Sequence, residues 1–432
     1  MPVRRPLVAR SITEDHRAAS QLELLFDLTF VIAVASITSE LAHRIADGHP
    51  IDGIIPFLQV FFAIWWAWMN FTWFASAYDN GDAVFRLLAM VQMAGVLVLA
   101  AGVPAALNNG DYRAITLGYL ISRIGLIALW VRAAIDCPSA RITALRYASG
   151  VALLEVAWIL RLVVAEQHVL PGGILLAMFT ALVAAELLVP WWAERSSRSD
   201  STSWHPRHIA ERYGLFAIIL LGESLLATSG GVTAALEGGA ANADIITVSA
   251  GGFLLTMALW WLYFIDSPGD GLVRFRHRSF QWGYMHYGIF ASLAALGAGL
   301  EVAAEHTAGH IKASAVTVSY SVAVPVAVFL VLLAVVNAPL VPKLAITPIA
   351  TGVSVAVVLT IPLAAMVVDP SLVVAGIGVI CAGLVLVGAV EHRRPGPTTT
   401  YRPSRDVHEH AASRAGVASR CRIHPHSTSG AD

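Results

Sequence analysis

Residues 84–107 read Val84-Phe-Arg-Leu-Leu-Ala-Met-Val-Gln-Met-Ala-Gly-Val-Leu-Val-Leu-Ala-Ala-Gly-Val-Pro-Ala-Ala-Leu107, with Arg86 the sole charge. A bilayer core about 30 Å thick is crossed by roughly 20 helical residues, so this run is long enough and apolar enough to span. Similar runs recur at about 24–45, 53–78, 112–135, 143–166, 172–192, 208–230, 244–266, 280–304, 312–336, 343–366 and 371–390, making about twelve in all. Composition agrees. Of 432 residues 57% are hydrophobic and only 13% charged, against roughly a quarter charged in a soluble domain. Such a chain lacks the polar surface of a soluble fold, and its apolar content excludes disorder for the bulk of it. A net charge of -1 argues against a nucleic-acid-binding face. Cys137, Cys381 and Cys421 are odd in number and far apart, so they give neither a disulfide framework nor a zinc-ligand spacing. The expected fold is all-α, a polytopic transmembrane helix bundle.

Basic residues orient it. With residues 1–22 inside, the inner segments hold Arg4, Arg5, Arg10, Arg17, Arg86, Arg132, Arg141, Arg195, Arg207, Arg274 and Arg278 among others, whereas the outer ones hold only Arg44, Arg113 and Lys312. This positive-inside bias predicts that both termini are cytoplasmic. Glu14, Asp15 and Glu23 before the first span, and Asp27 and Glu40 within it, do not fit a cleaved signal peptide. The expected organisation is an N-terminal segment at 1–22, six spans over 23–192, a linker at 193–207 and six spans over 208–392. Residues 393–432 are polar and lack apolar periodicity, and they read as a disordered cytoplasmic tail whose His408, His410, His424 and His426 are solvated.

An internal repeat underlies the six-plus-six division. Displacing the chain by 188 residues places Glu23 on Glu211, Trp73 on Trp261, Gly81-Asp82 on Gly269-Asp270, Arg86 on Arg274 and Gly95 on Gly283. Six spans per half is an even number, so the halves are expected to be parallel, an architecture found in secondary transporters.

Charges within spans are the functional candidates, because each is costly in a bilayer. Glu23 and Asp27 are four apart and share a helix face, where they could share a proton; alternatively, Glu23 pairs with Arg212 or another loop arginine. Glu223 lies midway along its span, roughly 18 Å of helix beyond Glu211. Arg123 and Arg161 are its candidate counter-charges, and an interhelical ion pair is the bland alternative. His286 is either a proton-handling group or a hydrogen-bonded core histidine. Glu40 with His43, and Glu301 with Glu305, read as interfacial. Trp65-Trp66-Ala-Trp68 and Trp260-Trp261 read as packing or belt residues. No metalloprotease motif, nucleophile elbow, P-loop or dinucleotide fingerprint occurs, so neither an enzyme, a cofactor nor a metal site is expected.

Glu23-Leu-Leu-Phe-Asp-Leu-Thr-Phe-Val, Thr72-Trp-Phe-Ala-Ser-Ala-Tyr-Asp-Asn-Gly-Asp82 and Glu211-Arg-Tyr-Gly-Leu-Phe-Ala-Ile-Ile-Leu-Leu-Gly-Glu-Ser224 occur in this order. Trp260-Trp-Leu-Tyr-Phe264 and His286 followed by Gly297-Ala-Gly-Leu-Glu301 extend the series. Together they resemble the bacterial low temperature requirement protein A family over most of the chain, with Gly81 standing where the family commonly has an acid. The resemblance implies a polytopic protein of the bacterial inner membrane, with Glu23, Asp27, Asp79, Asp82, Arg86, Glu211, Glu223, His286 and Glu301 as the positions that matter, and assigns no reaction. The expected function is secondary transport of a small molecule or ion, with proton coupling through the intramembrane acids. A passive ion channel and a non-transporting membrane sensor or scaffold are the alternatives. The lipid bilayer is the expected partner and nucleic acid is not; substrate and oligomeric state are not legible.

Overall fold

Apolar runs of this length in lipid must satisfy every backbone N–H and C=O internally, which leaves the helix as their form. The computed structural model describes residues 3–10, 14, 17–195, 202–237, 243–266, 268–307, 309 and 311–392, and among these there are helices and no strands. In chain order they are α1 (Gln21–Ala46), α2 (Pro50–Tyr78), α3 (Ala83–Asn109), α4 (Arg113–Asp136), α5 (Arg141–Glu166), α6 (Gly172–Glu194) and α7 (Pro206–Glu237), followed by α8 (Ala243–Phe264), α9 (Pro268–Arg274), α10 (Ser279–Thr307), α11 (Ala315–Asn337), α12 (Pro348–Thr360) and α13 (Pro370–His392). Twelve segments are long and apolar enough to cross a membrane. We call the end where α1 begins the N-face and the opposite end the far face. The tail at 393–432 and residues 196–201 of the linker lie outside the described residues.

Two boundaries depart from the expected pattern for local reasons. The segment after α8 was expected to be a plain loop but winds into α9, a single short helix opened by Pro268 at a position where its missing N–H is tolerated. The eleventh span loses its α-ladder at Pro362 and finishes as a 3-10 helix over Ile361–Met366.

Helices α1, α2, α7 and α10 form the centre, while α6 and α12 lie at the periphery. Within residues 21–194, α1 packs on α2 and α3, α2 on α3, α3 on α4, α4 on α5, and α5 on α6. Beyond residue 206, α7 packs on α8 and α10, α8 on α10, α10 on α11, α11 on α12, and α12 on α13, and α8 also packs extensively on α13, a contact that α2 and α6 do not match. Contacts of α1 with α7 and α10, and of α2 with α7 and α10, join the two sets.

The N-terminal residues are a strap across the N-face rather than a loose leader. Leu7 is fully buried. The Arg5 N–H donates to Asp82 Oδ2 (2.7 Å), the Leu7 N–H to Asp136 Oδ2 (3.0 Å) and the Arg10 N–H to the Ala77 carbonyl (3.0 Å). Ser20 then caps α1 in a reciprocal box, accepting from the Glu23 N–H while Glu23 accepts from the Ser20 N–H.

The α3–α4 crossing depends on glycine. A Cβ on Gly118 would sit 2.3 Å from Leu99 N, and one on Gly95 2.5 Å from Gly118 O, so the two backbones touch. Gly118→Ala is therefore expected to lower stability by roughly 1–3 kcal/mol, whereas Gly352→Ala, where nothing lies within 4 Å, leaves it unchanged. Thermal melts of the purified protein read both.

Candidate functional site

One guanidinium joins α1 to α7. Arg212 Nη1 lies 3.0 Å from Glu23 Oε1 and Nη2 lies 2.5 Å from Asp27 Oδ1, and all three residues are buried. The four-residue spacing of Glu23 and Asp27 is matched on α7 by His208 and Arg212. His208 Nε2 is 3.2 Å from Glu23 Oε1, and Trp68 Nε1 donates to Asp27 Oδ1 at 2.7 Å. Arg17 of the strap donates to the carbonyls of Ser76 and Ala75 and approaches Glu23 at 3.8 Å. Of the two readings of Glu23, the geometry gives its pairing with Arg212. Two carboxylates face two guanidinium groups, and each acid has an arginine nitrogen of its own.

Glu223 is different. Neither expected counter-charge reaches it. Arg123 is held in α4 by Glu155 (3.5 Å) and Glu186 (3.3 Å), and Arg161 donates to the Leu175 carbonyl and lies over the Phe179 ring. The cause is helix order, since α7 packs on α1, α2, α8, α9 and α10, and α4 on α2, α3 and α5. Glu223 instead packs beside Gly297, on which an added Cβ would lie 3.0 Å from Glu223 Cβ and 3.2 Å from Thr38 Cγ2. One turn along α10, Glu301 is within electrostatic reach of Glu223, Glu305 and His43. Glu223 is 8% exposed and has no hydrogen bond or ion pair among the described residues. Between it and the Arg212 centre lie Phe30, Ala33, Val34 and Ile37 along α1 and Phe216, Ala217 and Leu220 along α7, all fully buried.

A cavity of about 320 Å³ opens at the N-face among α7, α8, α9, α10 and α11. It gathers four of the sequence candidates, Glu211, Gly269, Asp270 and His286, together with Arg207 and Asp266. His286 Nδ1 is 2.8 Å from the Trp282 carbonyl, which only accepts, so Nδ1 carries the proton and Nε2 is the acceptor in the neutral ring. The rings of Tyr213, Trp282 and Phe290 enclose it. Arg207 pairs with Asp270 at 2.9 Å on the exposed rim.

The repeated Gly-Asp-x-x-x-Arg motif has two different surroundings. In the first copy Gly81 adopts a left-handed φ of 63° and Asp82 caps α3 by accepting from the Phe85 N–H. Asp82 is also buried against Arg132, and Arg86 donates to the Gly81 carbonyl. In the second copy Asp270 lies within α9 and faces solvent, and Arg274 lies over the Phe275 ring. Among the described residues no group of three or more His, Cys, Asp or Glu side chains could hold a metal ion.

Several residues of these centres were not singled out by sequence. The spacing of His208 and Arg212 was the available signal for the α7 partner face, and Glu186 was an acid inside a span. Arg132 and Asp136 gave none, being polar residues in the last turns of α4.

The helices and these buried charges define a polytopic α-helical membrane protein. The chain belongs to the bacterial low temperature requirement A (LtrA) protein family, whose model matches residues 18–388. It is 27% identical over 263 residues to an uncharacterized protein of Rhizobium meliloti (strain 1021), a match covering 60% of this chain and 61% of that relative, so the chain spans less than two thirds of the relative's length.

Two outcomes follow from the charge geometry. Arg212→Met strands two buried carboxylates and is expected to cost about 3–5 kcal/mol, whereas Lys312→Ala at the exposed Asp47 pair leaves the melt unchanged. Burial raises the Asp82 pKa, but hydrogen bonds from Arg132 and from the Arg5 and Phe85 N–H groups outweigh it and hold it well below the ordinary value. A depressed folded-state pKa stabilises above the unfolded value of about 3.9 and is lost as pH falls through the folded one. Melting temperature should therefore fall on acidification below roughly pH 4, and Asp82→Asn should shrink that loss while lowering the neutral-pH melt.

Proposed function

We propose that the protein is a proton-coupled secondary transporter of the bacterial inner membrane, built from two parallel six-span halves, with its N-face cytoplasmic. The observation that carries this reading is Glu223, a buried acid with no ion-pair partner on the helix that also holds Arg212. In this reading the α1–α7–α10 interface is the path, Glu223 takes up and releases a proton with Glu301 beyond it, and His286 and Glu211 serve the cytoplasmic cavity. The buried apolar stretch between the Arg212 centre and Glu223 favours a carrier with alternating access over an open channel. The 188-residue offset supports the two halves. Clustering of Arg5, Arg10, Arg86, Arg132, Arg207 and Arg276 at the N-face supports its cytoplasmic orientation.

The test is uptake into proteoliposomes of a panel of labelled organic cations, organic anions and amino acids under an imposed pH gradient. At least one solute should accumulate with the gradient, and Glu223→Gln should abolish that accumulation. Flux indifferent to both the gradient and the substitution overturns the proton role, and unitary currents in bilayer recordings overturn the carrier.

A further inference from the structure

Helices α4, α5 and α6 hold a second charged centre that the α1–α7–α10 path does not use. Arg123, Glu155 and Glu186 are 1%, 3% and 1% exposed. Glu186 is fully supplied with donors. Its Oε1 accepts from Tyr119 OH (3.0 Å) and Trp158 Nε1 (3.2 Å), and its Oε2 from Trp66 Nε1 (2.8 Å) and Arg123 Nη2 (3.3 Å). Four donors on two oxygens fit an ionised carboxylate, whose charge Arg123 cancels.

Glu155 has no such supply. Among the described residues its one ion-pair partner is Arg123, with Nε at 3.5 Å, and neither of its buried oxygens accepts a hydrogen bond. The titratable and charged groups facing it are Arg123 and Tyr119 from α4 and Glu186 from α6. On α5 itself Arg161 is engaged by the Leu175 carbonyl, and from α10 Tyr284 donates to the Leu187 carbonyl. Two acids therefore share one cation, and among the described residues no other cation forms an ion pair with either. A carboxylate without donors inside a bilayer is neutralised rather than held.

We propose that Glu155 binds a proton in the resting protein, making Arg123, Glu186 and Glu155 a proton-binding centre of the α4–α6 bundle. The centre holds one proton for two acids. Glu155 ionises when Glu186 takes that proton or when Arg123 turns from one acid to the other. This site stands apart from Glu223 and does not depend on any flux.

Infrared spectroscopy of the full chain in lipid nanodiscs tests it. At neutral pH the wild type should show a protonated-carboxyl C=O stretch that is lost in the Glu155→Gln difference spectrum. That variant should elute and melt as the wild type does, because a neutral amide replaces a neutral acid of the same shape. Glu186→Gln should remove the same component, since Glu155 then becomes the sole counter-charge of Arg123 and ionises. A wild type without the band, a band unchanged in either variant, or failure of Glu155→Gln to fold would overturn the proposal. So would carboxylate bands that respond to sodium at fixed pH, which would make the ligand a metal cation.

Discussion

A charge taken out of water must find a partner or give up its charge, and within a bilayer that rule governs how these helices assemble. Arg212 is the point where it acts most strongly. Its two terminal nitrogens each meet a carboxylate of α1, so the first helix and the seventh cannot separate or rotate independently without exposing an ion to lipid. Trp68 adds α2 to the same knot, and Arg17 adds the strap. Three of the four central helices are thus tied together by polar geometry, while the packing around them is apolar and much of it aromatic.

The three charged regions differ in their stoichiometry, and that difference separates structure from candidate chemistry. The Arg212 centre is balanced and closed. The α4–α6 centre has one acid in surplus, held by a guanidinium already committed elsewhere. Glu223 has Glu301 within reach and no ion-pair partner among the described residues, and it packs beside Gly297.

The helical architecture was legible because lipid imposes a length and a hydropathy that a linear reading detects directly. Every span expected from the sequence corresponds to a helix, with the exceptions at Pro268 and Pro362 set by proline chemistry. That Glu23, Asp27 and Glu223 need an answer to their charge was also legible, since each is costly wherever it points, and so was Arg212 as a partner for Glu23. The remaining partners were not. Arg123 and Arg161 lay well inside their spans and were therefore the natural candidates for Glu223, yet pairing depends on helix order and rotation, which no single-sequence pattern encodes. The same limit applies to the repeated motif, whose identical letters make a buried cap at Asp82 and a solvent-facing rim at Asp270. The strap was illegible for a further reason, because its hydrogen bonds run mostly through backbone N–H groups that every residue possesses.

The bond between Arg212 and Asp27 spans 185 residues of chain. At about 5–20 residues per second the ribosome needs roughly 10–40 s to make the partner of a helix it has already released. During that interval α1 carries two acids into the membrane with only Arg17 near Glu23 and no arginine for Asp27. The first helix must then remain beside the insertion machinery, or keep its carboxyls protonated, until the seventh arrives. A pair read as an equilibrium contact therefore also sets the order and tempo in which the membrane domain can be completed.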